Sequence, residues 1–371
     1  MRKEVTARQR QAITEAGFDA LVANSPENFA YTAGFVVPSQ HLMRWRHAMA
    51  VITRDGREAL LIVDMEESTV RSRAPDVEIR LWREFTDQPM EALANLLRDL
   101  GLEEGTIGLE MDYLPVGDFE QLKAFLPKVR FSSAHELYSR LRQVKTPEEI
   151  VLMRRLSKIT DQAIGEALHS VRQGMTEMDL AAALTKGIYS RGAEQFKLMI
   201  IATGERSEFP NVGPTNRTLS FGDLCRVEIF GVIAGYHAGV CRTAVVERAS
   251  PEAQRMWQNL IECKYLVLDM LRPGASAQAI YETFLEKFSE LGLPPISFVG
   301  HGIGLHLHEK PYLGKDSDSY LEEGMVLGIE PLVYGRGKGF GLQSKDMVLV
   351  TSAGCEVLSD QTTNDELIVI P

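Results

Sequence analysis

GDLCRVEIFGVIAGYHAGVCRT, residues 222–243, reads as two strand-forming runs, and the alternation of side chains along them decides which groups share a face. Arg226 and Glu228 lie on one face of the first run. His237, Gly239 and Cys241 lie on one face of the second. Near the chain end, GFGLQSKDMVLVT (339–351) puts Gln343 and Lys345 on a common face.

Outward from this stretch, the pattern repeats. Helices near 147–171 and 176–191 precede strands near 197–203 and 224–246; helices near 251–271 and 276–291 precede strands near 296–308 and 325–350. RQGMTEMDLAAAL and RPGASAQAIYETF share a basic residue, a glycine, a small polar cap and an apolar helix. Two αα-β halves leave a cleft between them. The first of these helices opens at LRQVKTPEEIVLMRR, where Thr146 is the N-cap, Pro147 takes the first helical position and Glu149 completes a capping box. The domain boundary falls just before it, giving domains over 1–140 and 141–371. In the first, FDALVANS is an apolar run ending in a turn, and HAMAVITRDGREALLIV is a hairpin around Asp55-Gly56. MEALANLLRDLG is a helix ended by Gly101, and TIGLEMDYL is a strand. This is an α/β domain.

A chain of 371 residues suits two cores. Its composition, 44% hydrophobic and 25% charged, is that of a globular protein. The net charge of -11, with no Lys/Arg run, excludes a nucleic-acid partner, because phosphate binding needs a basic stripe. No apolar stretch is long enough to span a membrane, and the charged N-terminus lacks the apolar core of a signal peptide. Cys225, Cys241, Cys263 and Cys355 match neither a zinc knuckle nor a CxxC pair. Free thiols and no export signal place the chain in a reducing cytoplasm.

Four ordered stretches resemble the creatinase/prolidase/aminopeptidase P superfamily: residues 222–243, VGHGIGLHLHE (299–309), EEGMVLGIEPLVY (322–334) and 339–351. KTPEEIVLMRR and FAYTAGF fit as well, so the resemblance covers essentially the whole chain. It implies an α/β N-terminal domain plus an α+β pita-bread C-terminal domain, a pseudo-twofold αα-β repeat around a curved antiparallel sheet. A homodimer is implied too.

Metal-dependent members hold two divalent ions on Asp, Asp, His, Glu and Glu. The matching positions here are Glu228, Gly239, His301, Glu330 and Lys345. Gly239 offers no ligand atom, and Lys345 places an ammonium where a bridging glutamate is usual. A lysine about 4 Å from a divalent ion repels it by roughly 8 kcal/mol at an effective dielectric of 20. The expectation is therefore no dinuclear site and no cofactor, with a minimal single site on Glu228, His301 and Glu330 as the remaining metal option. The metal-independent creatinase-like branch has the closest logic, although Asn211 stands in FPNVGPTNR where creatinase has a catalytic histidine, and Cys241 stands where it has a glutamate.

This reading leads to a metal-independent hydrolase cleaving a C–N bond (amide, amidine or guanidine) of a small charged, amino-acid-like molecule. His301 and His308 are its acid and base. Cys241, beside His and Lys, has a lowered pKa and is a candidate nucleophile, against the alternative of an inert buried thiol. Glu228 and Glu330 hold a cationic group, and Lys345 stabilises an oxyanion or merely replaces the metal charge. Arg226, His237, Gln343, Asn211, Phe209 and Tyr236 are candidate substrate contacts. So are Arg44 and Arg46, as carboxylate binders in a region that borders the cleft in the family, against a solvated hairpin edge. His306 falls between two motif histidines, would point the other way on a strand, and reads as structural. The competing readings are an Xaa-Pro metallo-dipeptidase or aminopeptidase with altered ligands and a non-catalytic peptide-binding pseudopeptidase.

Overall fold

The computed structural model describes residues 2–335 and 337–371. They form two compact units, Met1–Arg142 and Gln143–Pro371.

The first unit is a six-stranded sheet, β1 (Ala20–Ala23), β2 (Met49–Thr53), β3 (Glu58–Val63), β4 (Glu78–Trp82), β5 (Gly105–Leu109) and β6 (Val129–Ser133), in the order β4-β3-β2-β1-β5-β6. Around it lie α1 (Arg2–Glu15), α2 (Pro26–Ala33), α3 (Glu67–Arg73), α4 (Pro89–Asp99), α5 (Val116–Phe125) and α6 (His135–Gln143). β2 and β3 form the expected antiparallel hairpin, with Gly56 at φ 91 in its turn. α4 starts on Pro89, buries Met90, Leu93, Ala94, Leu96 and Leu97, and ends before Gly101 at φ 71. The strand expected over TIGLEMDYL stops at Leu109. Glu110 turns inward instead, and its carboxylate accepts from Ser25 N–H and Oγ–H.

The second unit opens with α7 (Pro147–Ser170), whose Thr146/Glu149 capping box is complete, and α8 (Glu177–Ser190). β7 (Gln195–Thr203), β8 (Leu224–Ile233) and β9 (Tyr236–Val246) follow. The second half runs α9 (Pro251–Met270), α10 (Ala277–Glu290), β10 (Phe298–Gly302), β11 (Glu309–Gly314), β12 (Val326–Ile329), β13 (Leu332–Val333), β14 (Leu342–Gln343), β15 (Asp346–Thr351) and β16 (Gly354–Val357), and β17 (Ile368–Ile370) closes the chain. The sheets are ordered β17-β9-β8-β7 and β11-β10-β12-β15-β16, with β13 and β14 paired separately. The repeat survives in atomic detail. Gly174 N–H donates to Leu219 O at 2.9 Å, and Gly274 N–H donates to Leu321 O at 2.8 Å. Both glycines have positive φ, 88 and 81, which their turns require.

The two halves are joined where Cys241 N–H donates to Lys345 O at 3.2 Å and Lys345 N–H to Cys241 O at 3.1 Å. Behind this junction Arg242, fully buried, is paired with Asp161 and Asp346 at 2.9 Å each, and its guanidinium also donates to the Lys345 carbonyl at 2.9 Å. One difference from the expected strands matters for the site. Residues 303–308 form a loop between β10 and β11, so the alternation argument that turned His306 away does not apply there. Gly304 N–H donates to His306 O at 3.2 Å, and His306 N–H donates to Glu309 Oε1 at 3.2 Å.

Candidate active site

The register of β8 on β9 pairs Arg226 with Thr243, Glu228 with Cys241, Phe230 with Gly239 and Val232 with His237. Directly paired residues share a face, so these side chains line one side of the sheet. The opposite side packs on helices: a Cβ on Gly231 would meet Thr160 and Leu156. Tyr236 belongs to that opposite side. It is 1% exposed, and its hydroxyl donates to Glu149 Oε1 at 2.7 Å. The expectation that Tyr236 lines the pocket is corrected by the same alternation that turns its neighbour His237 inward.

At the centre stands Lys345, 1% exposed. Its ammonium lies 3.2 Å from Glu228 Oε1 and 2.8 Å from Glu330 Oε2. Gln343 Nε2 donates to Glu228 Oε2 at 3.2 Å and to Glu330 Oε2 at 3.3 Å. Arg226 braces Gln343 through Nη1 at 2.8 Å, and its Nη2 donates to the carbonyls of Phe209 and Pro210. The Tyr334 ring covers this guanidinium at 5.6 Å. Burial opposes charge on Glu330, but the Lys345 ammonium and His301 outweigh it and hold the carboxyl well below its usual range. Burial likewise opposes charge on Lys345, and Glu330 and Glu228 overcome it, so its pKa is raised.

His301 sits on β10 opposite Gly328. Its Nδ1–H is spent on the Gly302 carbonyl at 2.8 Å, leaving Nε2 3.2 Å from Glu330 Oε1 with no hydrogen bond formed. His308 stacks on the His301 ring, centroids 3.8 Å apart at 17°. Loss of solvent and the neighbouring His301 and Lys345 push His308 down to about 4, so it is neutral at physiological pH. Ligand atoms of His301, His308 and Glu330 lie within 4.8 Å of one another, a set that fits one metal ion. This corrects the expected single-ion set: His308 takes the place of Glu228, whose oxygens are engaged by Lys345 and Gln343.

A dinuclear site does not fit. Gly239 has no donor, Lys345 occupies the space between the carboxylates, and a Cβ built on Gly239 would lie 2.3 Å from the Phe230 ring. That ring also lies 4.6 Å from the Lys345 ammonium, a cation–π contact. Phe230 was missed in the sequence reading. Its parity with Arg226 and Glu228 was the available signal.

Cys241 departs from its expected chemistry. It is fully buried, its Sγ–H points to Gln343 O at 3.6 Å, and desolvation, then the Glu228 carboxylate, push its pKa well above the ordinary thiol value. The cations expected to activate it are neutralised by carboxylates. Alkylation of the folded protein by iodoacetamide at pH 8 is expected to leave Cys241 unmodified, and modification to appear there only after denaturation; peptide mass spectrometry reads the difference. Rapid labelling of Cys241 in the native state would reverse this assignment.

Of the remaining candidates, the Phe209 side chain is 53% exposed and Asn211 is exposed. In the first unit, Arg46 is committed to Glu84 by two hydrogen bonds of 2.8 and 2.7 Å, which removes it as a free carboxylate clamp. Arg44 lies 5.9 Å over the Tyr113 ring.

Residues 151–352 match the family model "Metallopeptidase family M24", and residues 6–144 match "Creatinase/Prolidase N-terminal domain". The chain belongs to metallopeptidase family M24. An M24 relative, the Xaa-Pro dipeptidase of Pyrococcus furiosus, is 28% identical over 82% of this chain and 85% of its own length. The Xaa-Pro dipeptidase of Pyrococcus horikoshii is 27% identical over 79% and 84%. Among solved structures, dipeptidase PepE from Mycobacterium ulcerans superposes with a TM-score of 0.85 at 25% identity, covering 100% of this chain and 98% of its own. Recombinant prolidase from Thermococcus sibiricus superposes at 0.88, with 23% identity and coverage of 100% and 99%.

These likenesses establish the pita-bread fold with its N-terminal domain and place the chain among hydrolases. They overturn the expected metal-independent, creatinase-like C–N hydrolase, because the relatives are Xaa-Pro dipeptidases of a metallopeptidase family. That expectation weighed the two lost ligands, Gly239 and Lys345, above the ligand-bearing trio that stays together. Among the described residues, no helix is long and apolar enough to cross a membrane.

Proposed function

We propose that this chain hydrolyses small Xaa-Pro dipeptides using a single divalent ion held by His301, His308 and Glu330, with the Lys345 ammonium as a fixed positive charge beside it. One observation carries the reading: the buried Nε2 of His301 faces Glu330 Oε1 at 3.2 Å with no hydrogen bond between them. A histidine nitrogen set against a carboxylate is bridged by a proton or by a cation, and the His308 ligand atom within 4.8 Å gives a cation a third partner. The His301 ring is already oriented through its other nitrogen, as metal-ligating histidines are. Lys345 and Gln343 engage both oxygens of Glu228 but only Oε2 of Glu330, which leaves Glu330 Oε1 available to a second cation. The dipeptidase relatives support the substrate class.

An ion held there would supply Lewis-acid polarisation of a scissile carbonyl. The chain's own groups do the rest. Lys345 keeps Glu330 ionised and sets a positive charge where a developing oxyanion is stabilised at low dielectric. His308 is exposed and held neutral, so its ring nitrogen has a lone pair to offer as a ligand. Gln343 and Arg226 hold the carboxylates in place.

The test is metal content by mass spectrometry after dialysis against manganese or zinc, together with turnover of Ala-Pro. The expected result is about one ion per chain, in line with a three-ligand catalytic site, and activity abolished by chelator and by His301→Ala. Two ions per chain, or Ala-Pro cleavage indifferent to chelator, would overturn the proposal.

A further inference from the structure

Beyond Gly239 the lined face of the sheet continues into groups that the site above does not use. Lys197 on β7 pairs with Phe230 on β8, which pairs with Gly239 on β9. Lys197 therefore projects on the same side as Glu228 and Phe230, at the next row from His237, which pairs with Val232. His237 is 1% exposed. Its Nδ1–H donates to Gly304 O at 3.0 Å, and its Nε2 is buried with no partner among the described residues. Gly304 lies on the same loop, residues 303–308, that ends in His308.

The charges here do not balance. Lys145 is paired with Glu309 at 3.3 Å, both buried. Lys197 is half-buried and takes part in no ion pair or hydrogen bond among the described residues. Loss of solvent, then Lys197, push the His237 imidazole down to about 4; His306 adds to the fall, and the Gly304 carbonyl and Glu309 oppose it. The Glu309 oxygens are engaged by Lys145 and the His306 N–H, so the half-buried ammonium and the orphaned imidazole nitrogen on this face of the sheet lack an oxygen anion of their own. An ammonium-bearing ligand group is repelled by Lys197, and an apolar one leaves Nε2 unsatisfied.

Building on the dipeptidase reading, we infer that Lys197 and His237 form a carboxylate subsite that selects substrates by a negatively charged group. That carboxylate is either the substrate's acidic side chain or its C-terminus. Lys197 supplies the charge. His237 supplies a hydrogen bond, taking up a proton as the carboxylate enters.

The experiment is isothermal titration of the manganese-loaded full chain with Glu-Pro, Ala-Pro and Ala-Pro amide, using the wild type, Lys197→Met and His237→Gln. If the side chain is recognised, Glu-Pro binds the wild type about tenfold or more tighter than Ala-Pro, as expected for a charge-assisted hydrogen bond, and Lys197→Met erases that preference. If the C-terminus is recognised, Ala-Pro outbinds its amide by a similar factor, and Lys197→Met erases that difference instead. Either result supports the subsite. His237→Gln is expected to weaken the same interaction while leaving the heat of manganese binding unchanged. Equal affinities for all three ligands, or preferences that persist in both variants, overturn the inference and leave the dipeptidase reading standing. Absence of binding by every dipeptide overturns that reading and the subsite with it.

Discussion

Lys345→Met is expected to lower the thermal midpoint by about 10 °C in metal-free buffer at pH 7.5, and manganese is expected to restore part of the loss. Lys345 is 1% exposed and in contact with both Glu228 and Glu330. Its removal leaves two buried carboxylates facing each other without a cation. Breaking a buried ion pair in this way costs about 3–5 kcal/mol, and in a chain this size each kcal/mol moves the midpoint by about 2–4 °C. Metal binding to the folded state recovers stability in proportion to its tightened affinity.

The pH dependence follows from the directions of the shifts. Glu330 is depressed, so its contribution is present above the ordinary carboxylate value, about 4.3, and is lost as pH falls through the lower folded value. Lys345 is raised, so its contribution is complete below about 10.4 and is lost as pH rises through the higher folded value. In the methionine variant the unpaired carboxylates favour protonation, so the gap to wild type should narrow as pH falls toward 5. Differential scanning fluorimetry over this range, with and without manganese, reads both effects. An unchanged midpoint at pH 7.5 would mean that Lys345 does not hold the carboxylates apart.

The second large effect concerns metal stoichiometry. Restoring ligand types by Gly239→Asp with Lys345→Glu is expected to fail to give two ions per chain, although each change alone adds a carboxylate. The obstacle is Phe230, whose ring lies 2.3 Å from where a Cβ on residue 239 must go. Forcing a side chain there costs about 1–3 kcal/mol of overpacking. Adding Phe230→Ala opens the space and removes the aromatic face under the ammonium. The triple variant should then hold two ions and gain thermal stability on metal addition, while the double variant should be less stable than wild type and hold fewer. Two ions bound by the double variant would show that Phe230 yields easily and that the ligand types alone set stoichiometry.

Much of the architecture could be read from pattern. The Thr146/Glu149 capping box, the Asp55-Gly56 hairpin and the paired turns at Gly174 and Gly274 are local devices, and each formed where its residues stand. Local devices are legible because the atoms that satisfy them lie within a few residues. Alternation also sorts Arg226, Glu228, His237, Gly239 and Cys241 onto one face, because the strand period of two is a property of the backbone. The same alternation does not apply to residues 303–308, since that stretch is a loop.

The sequence by itself determined the two-unit α/β and pita-bread organisation, the membership in the M24 family, and the absence of a donor at position 239. Only the tertiary structure decided what those substitutions do. Cys241 is a sealed thiol with a raised pKa because a carbonyl a hundred positions away caps it, burial strips its solvent and the Glu228 carboxylate lies near. Ligand atoms of His301, His308 and Glu330 gather within 4.8 Å of one another, while both Glu228 oxygens are engaged by Lys345 and Gln343. Phe230 fills the space a side chain at position 239 would need because it is paired across the sheet with a glycine. Each of these outcomes depends on which charge or ring reaches a shared space first. Such competition is settled by distances between strands, and no stretch of the chain read alone contains them.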